Sequence, residues 1–202
     1  MPIRDIRSYK RERRENAKNF RKNLPADVKS NADRRIADKV LSLTEYKESS
    51  IIFIYISKDI EVDTKRIISA ALSDGKTVCV PKCIEAERKM EFYRIDSADC
   101  LEKGCYGILE PKPELCEKIE DLSDGLCVVP GLEFDRKGYR LGFGMGYYDR
   151  FLSAFGGIAV GICYSEGVTK ELFHGYFDRN VDILVTERYI KNVKGAKTDE
   201  KR

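Results

Sequence analysis

Three observations on the chain predict an α/β fold, a three-layer sandwich with a largely parallel central sheet and helices on both faces. Short apolar runs alternate with longer amphipathic stretches along most of the sequence, as strands do when crossover helices join them. The runs Ile51-Ile52-Phe53-Ile54 and Leu126-Cys127-Val128-Val129 are apolar at consecutive positions, the mark of strands covered on both faces. Gly142, Gly144 and Gly146 then fall between the second run and a helix-forming stretch, where a strand hands over to a helix N-terminus.

Residues 4–23 read as a helix, since helix-forming charged residues carry a sparse apolar stripe of Ile6, Ala17, Phe20 and Leu24. Lys10 and Arg13 fall within that stripe and Arg14 borders it. Cations on a face due for burial need an anionic partner, unless their stems lie on the core and their heads reach water. Pro25 breaks this helix and 26–43 forms the next, Pro being tolerated in a first turn. A strand follows over 50–56, then a helix over 64–73 with Asp63 as N-cap and Gly75 near its end. The strand over 76–80 stops at Pro81, 90–95 alternates like a half-exposed strand, and 96–123 is mostly loops and short turns. A helix over 147–155 follows the glycines, and strands follow over 157–163, 182–186 and 189–193. Residues 1–193 then make one domain, and 194–202, polar and poor in apolar residues, a frayed tail.

The 202 residues are 42% hydrophobic and 35% charged, with a formal net charge of +3, which suits a soluble globular protein. No apolar run approaches the roughly 20 residues of a membrane span, and the charged start lacks the apolar centre of a secretory signal. No membrane partner and a cytoplasmic location are expected. The seven cysteines sit mostly in strand-like runs and read as reduced, buried thiols. With no Cys-x-x-Cys pair and His174 as the one histidine, zinc is disfavoured, and His174 is read as a surface residue without a role. The basic residues of the first helix interleave with Asp5, Glu12 and Glu15 and have no aromatic platform beside them, so no nucleic acid is expected as a partner.

The densest chemistry lies in the run from Pro130 to Arg150. Its alternating glycines let the backbone turn tightly and present several N–H groups together, with Arg140 before and Asp149 after, the layout of a phosphate cradle beside a metal. No Gly-Lys-Ser or Gly-Lys-Thr closes it, so it is not a Walker A loop, and glycines so spaced also mark plain turns. Ligands of open α/β sheets bind beyond the carboxyl ends of the strands. The loops 57–62 and 130–146 both leave such ends, which brings Glu61 toward the glycines.

Taken whole, the words "PGLEFDRKGYRLGFGMGYYDRFL" at 130–152 resemble the signature of the 5-formyltetrahydrofolate cyclo-ligase family, also called 5,10-methenyltetrahydrofolate synthetase. The resemblance extends from Lys10 and Arg14 through "DIEVDT" at 59–64, "KTVCVP" at 76–81 and "GILEP" at 107–111 to "VDILVTE" at 181–187. It implies the three-layer fold and the ATP-dependent closure of 5-formyltetrahydrofolate to 5,10-methenyltetrahydrofolate, with ADP and phosphate released. ATP as co-substrate, Mg²⁺ and a reduced folate follow from it. By the same resemblance Lys10, Arg14 and Arg140 carry the catalytic charge, and these with Leu141, Gly142, Phe143, Gly144, Met145, Gly146, Tyr147 and Tyr148 hold ATP. Ile56, Glu61 and Tyr148 hold the folate, and Asp149 and Asp178 the metal. Where many members have Gln and His, this chain has Gly167 and Phe177. A sugar-phosphate or coenzyme A enzyme on a similar scaffold is the other reading, and a monomer or weak homodimer is expected.

Overall fold

The computed structural model describes residues 6–104, 107 and 109–193. It runs α1 (Ile6–Lys22), α2 (Ala26–Ser42), α3 (Thr44–Glu48), β1 (Ile51–Ile54), α4 (Lys65–Ser73), β2 (Thr77–Ile84) and β3 (Lys89–Ile95). The short strands β4 (Leu101–Lys103), β5 (Leu109–Pro111) and β6 (Lys118–Ile119) follow, then β7 (Leu126–Pro130), β8 (Glu133–Asp135) and β9 (Arg140–Leu141). Helix α5 (Tyr147–Ala154) and strands β10 (Ile158–Ile162), β11 (Val168–Thr169), β12 (Ile183–Val185) and β13 (Ile190–Asn192) complete it.

The main sheet has the order β13-β12-β10-β7-β1-β2-β3-β6. Its centre, from β12 to β2, is parallel, and β13, β3 and β6 join antiparallel toward the edges. Because successive residues of a strand face opposite sides, each apolar run divides between two cores. Ile52, Ile54, Leu126, Val128, Val160 and Ile162 pack with Ile36, Ala37 and Val40 of α2 and Ile67 and Ala71 of α4. Phe53, Cys127, Val129 and Ala159 pack with Phe151 and Phe155 beneath α5. There Phe92 meets Phe53 edge-on at 5.2 Å between ring centroids, an arrangement that aromatic quadrupoles favour.

Several expectations needed correction. Of the stripe assigned to the first helix, Ala17 alone is fully buried, while Ile6 and Phe20 are exposed and Arg21 is buried instead. α1 therefore docks mainly through polar contacts. The strand expected to stop at Pro81 continues to Ile84. Pro81 is accommodated because β2 pairs with β1 only over Thr77–Cys79, so that edge is vacant where the missing N–H is tolerated. Thr64 rather than Asp63 occupies the N-cap of α4, yet Asp63 Oδ1 still accepts the Lys65 N–H at 2.7 Å, so the capping chemistry survives one residue upstream. The tail expected over 194–202, and Cys105, lie outside the described residues. Cys79, Cys100, Cys116, Cys127 and Cys163 are free thiols, and burial pushes those of Cys79 and Cys163 up to about 12.

Candidate active site

A cavity of about 580 Å³ opens at the carboxyl ends of β1, β2 and β7. Every residue singled out in the sequence lines it: Lys10, Arg14, Ile56, Glu61, the whole segment 140–149 and Asp178. The sequence reading missed Tyr55, Lys58, Pro81, Cys83, Met90, Leu109, Glu110 and Pro130. Lys58 and Pro130 sit on the loops named in advance, and Tyr55 lies two residues before the first of them. Leu109 and Glu110 arrive on the β4–β5 hairpin, which folds back on β2 with Cys83 N–H donating to Glu110 Oε1 at 3.3 Å. Nothing in the local pattern of 96–123 announces that return.

The glycine run turns as its composition requires. Gly144 has φ +107° and Gly146, the N-cap of α5, has φ +71°, both in the region that side chains avoid. A Cβ at Gly144 would come within 3.3 Å of Arg14 Cζ, so the absent side chain is also what admits the guanidinium. Arg14 Nε donates to Gly142 O at 2.8 Å. Burial draws the Arg14 pKa down and the charge of Asp178 opposes that.

Two ion pairs frame this end. Lys10 Nζ lies 2.5 Å from Asp178 Oδ2, which also accepts the Gly175 N–H at 2.9 Å. Arg140, its side chain 4% exposed, lies 2.9 Å from Asp149 Oδ1, which accepts the Arg179 N–H at 3.1 Å, while Arg140 Nη1 donates to Arg179 O. Burial raises the Asp178 pKa, but the Lys10 and Gly175 bonds and the charges of Lys10 and Arg140 outweigh it and hold the carboxyl below its ordinary value. Arg13 is met in the same way by Glu133 at 2.6 Å. The cations of α1 thus divide, and Lys10, Arg13, Arg14 and Arg21 all reach acceptors on the body of the protein.

The opposite wall is apolar and buried. Glu61, 7% exposed, accepts the Lys58 N–H at 2.9 Å, and burial raises its pKa despite that bond and the charges of Lys58, Arg21 and Lys29. Arg21 fixes this wall from behind, donating to the carbonyls of Ile60, Gly131 and Leu132. Those carbonyls belong to the loops that leave β1 and β7. Tyr147 and Tyr148 line the cavity, and their hydroxyls are buried without a hydrogen-bond partner among the described residues.

Among the described residues no three His, Cys, Asp or Glu side chains gather into a metal cage. Asp149 and Asp178 nonetheless suit Mg²⁺, which is ordinarily held by one or two carboxylates together with phosphate oxygens. Among the described residues the hydrogen bonds and ion pairs of these carboxylates fall on one oxygen each, Oδ1 of Asp149 and Oδ2 of Asp178, so the other oxygen of each is the one suited to a hard cation.

Comparison with known proteins agrees with this geometry. The model of the 5-formyltetrahydrofolate cyclo-ligase family matches residues 6–187. A Schizosaccharomyces pombe protein named "Probable 5-formyltetrahydrofolate cyclo-ligase" is 34% identical over 175 residues, covering 78% of this chain and 85% of its own. The Mus musculus 5-formyltetrahydrofolate cyclo-ligase is 33% identical over 153 residues, covering 73% and 75%. The NMR structure of Aquifex aeolicus 5,10-methenyltetrahydrofolate synthetase superposes with a TM-score of 0.82 at 33% identity, over 96% of this chain and 97% of that one.

Proposed function

The chain belongs to the 5-formyltetrahydrofolate cyclo-ligase family, and on that premise we propose how the cavity divides the work of converting 5-formyltetrahydrofolate to 5,10-methenyltetrahydrofolate with ATP. The observation that carries the division is the contrast between its ends, a cation-framed glycine turn on one side and a buried carboxylate among aromatic rings on the other.

Ring closure by N10 needs the formyl oxygen to leave, and an amide oxygen leaves poorly. Transfer of the γ-phosphoryl group to that oxygen makes an imidate phosphate and releases ADP. N10 then attacks the formyl carbon and phosphate departs. Phosphoryl transfer depends on positioning and on charge placed around the moving group more than on a protein nucleophile. Lys10, Arg14 and Arg140 supply that charge, and the backbone N–H groups of 142–146 cradle the phosphates. Lys10 and Arg140 are held by Asp178 and Asp149, so binding of the nucleotide exchanges one anionic partner for another with little net desolvation. Mg²⁺ held by the released carboxylates would neutralise charge on the phosphates.

On the opposite wall Glu61 accepts N–H groups of the pterin, Ile56 covers a face of the ring system, and the Tyr148 hydroxyl meets a polar atom of the folate. Arg140 lies 5.8 Å from the centroid of the Tyr148 ring, which joins the two halves. The test is direct: incubate the protein with 5-formyltetrahydrofolate, with and without Mg-ATP, and follow the methenyl absorbance. Product is expected only with ATP and Mg²⁺ together, and equal rates without ATP would overturn the reading.

A further inference from the structure

Two cysteines bracket the hairpin that folds back on β2. Cys100 stands directly before β4 and Cys116 two residues before β6, so the chain leaves for β4 and β5 at one and returns at the other. The two ends meet at the carbonyl of Cys100, which accepts the Lys112 N–H at 2.9 Å and the Cys116 S–H at 3.6 Å. The thiols are themselves in hydrogen-bonding contact. Thiols so placed are within reach of a disulfide once their side chains rotate into its dihedral.

The two sulfurs differ as an attacking and a resolving thiol must. Cys100 is half-buried and Cys116 only 9% exposed, so a small molecule meets the first before the second. Hydrogen bonds from the backbone at Asp96 and Ser97 and from Cys116 outweigh burial and draw the Cys100 thiol below its ordinary pKa, which enlarges its thiolate fraction. Burial, then the charge of Cys100, raises that of Cys116. Cys79, Cys127 and Cys163 lie fully buried in or beside the central strands, each thiol pushed up by burial, and are sealed from such a reagent. What the pair brackets also reaches the active-site cavity, since Leu109 and Glu110 of β5 line it. The hairpin is held to β2 by the Cys83 N–H on Glu110 at 3.3 Å and by Lys82 Nζ on Pro111 O at 3.2 Å. Both bonds are at the long end of their range.

We propose that Cys100 and Cys116 are an oxidisable pair, closed to a disulfide by a small-molecule disulfide, and that the closed bond braces the hairpin wall of the cavity. The Cys100 thiolate attacks one sulfur of the oxidant, forms a mixed disulfide and expels a thiolate. Cys116 gives up its proton and attacks the Cys100 sulfur, the mixed bond breaks, and a second thiolate leaves. Two protein thiols are oxidised and one small disulfide is reduced to two thiols, which take up the two protons that the cysteines lose. Closure joins the ends of the hairpin where they already touch, so the wall is fixed rather than displaced. A crosslink of this kind acts mainly by restricting the unfolded chain.

The experiment incubates the protein with oxidised glutathione, alkylates the remaining thiols and maps the disulfides by mass spectrometry of the digested chain. A Cys100–Cys116 bond that dithiothreitol reverses is expected in the wild type. Cys116→Ser should stop with glutathione on Cys100, and Cys100→Ser should leave Cys116 unmodified. Recovery of both residues as thiols, or a bond from either to another cysteine, overturns the proposal. Glutathione on Cys116 in Cys100→Ser, gained as fast as the wild type is oxidised, overturns the role of Cys100 as the attacking thiol. The oxidised wild type should unfold several degrees above the reduced protein, with its KM for 5-formyltetrahydrofolate unchanged, and Cys100→Ser treated alike should show no shift. An equal midpoint, or a KM raised in the wild type and not in Cys100→Ser, overturns the bracing.

Discussion

At the glycine-turn end of the cavity, Lys10 and Arg140 are already paired with Asp178 and Asp149, and Phe143 and Met145 of the turn are exposed. At the opposite end Glu61 is 7% exposed with its charge opposed by burial, and the Tyr148 hydroxyl is buried with no hydrogen-bond partner among the described residues. The first end stores opposite charges in contact, so a polyanion entering it replaces one set of ion pairs with another. The second stores an unmet bonding capacity, which a ligand completes. Unsatisfied buried groups cost stability, while a buried charge such as that of Arg140, 4% exposed, is costly mainly when its partner is removed. On the division proposed above, the folate end is where the protein gives up stability for binding, and the nucleotide end is where it relies on geometry.

The largest effect that would break this comparison is at Gly144. Gly144→Val sets a β-branched side chain at φ +107° and against Arg14, and should abolish ADP binding by calorimetry while circular dichroism shows a folded chain. A folded variant that binds ADP normally would make the turn a plain one. Next come Lys10→Ala and Arg14→Ala, each expected to lower kcat/KM by about 10²-fold or more in steady-state assays. Wild-type turnover in both would return these side chains to the role of solvated stems.

Glu61→Gln sharpens the other side. It should raise the KM for folate by about tenfold or more, with the KM for ATP unchanged, because a charged acceptor is lost from the buried wall. The same variant tests the stability argument. The Glu61 pKa is raised in the folded protein above the ordinary 4.5, so the folded state binds its proton more tightly than the unfolded one. The penalty of the buried charge is complete above the folded pKa and disappears as pH falls through it toward 4.5. Glu61→Gln should accordingly be at least as stable as the wild type at pH 7, with the gap in denaturation midpoint closing on acidification. Asp178 has the opposite sign, since its lowered pKa gives stability that is present above the ordinary 3.8 and lost as pH falls through the folded value. The smallest effect is expected from Asp149→Asn, a severalfold higher Mg²⁺ requirement, read from rate against Mg²⁺ at fixed ATP. An unchanged requirement removes Asp149 from the metal.

Much of this was legible in local pattern. The consecutive apolar runs of β1 and β7 could only be strands covered on both faces, and that is how Phe53 and its neighbours Ile52 and Ile54 divide. The glycine turn and Glu61 were placed on one rim by the rule that ligands bind beyond strand ends, and the cavity contains both. The stripe on the first helix misled because its period was sparse. A helix that docks through ion pairs need not bury its apolar residues, and Ile6 and Phe20 remain exposed. Pro81 misled because a proline's effect on a strand depends on which edge is paired, which the neighbours of β2 decide.

By itself the sequence determined what is local: where the longer strands and helices of the main sheet fall, and where the backbone can turn at Gly144 and Gly146. Tertiary structure alone decided the partners. Lys10 meets Asp178 across 168 positions, Arg13 meets Glu133 across 120, and Arg21 is buried against Gly131 and Leu132 rather than turned to water. The stacking of His174 on Tyr139 was decided in the same way. Periodicity reports only what a helix or strand repeats within a few residues, so contacts between distant segments leave no local trace and are fixed only when the sheet brings its loops to a common edge.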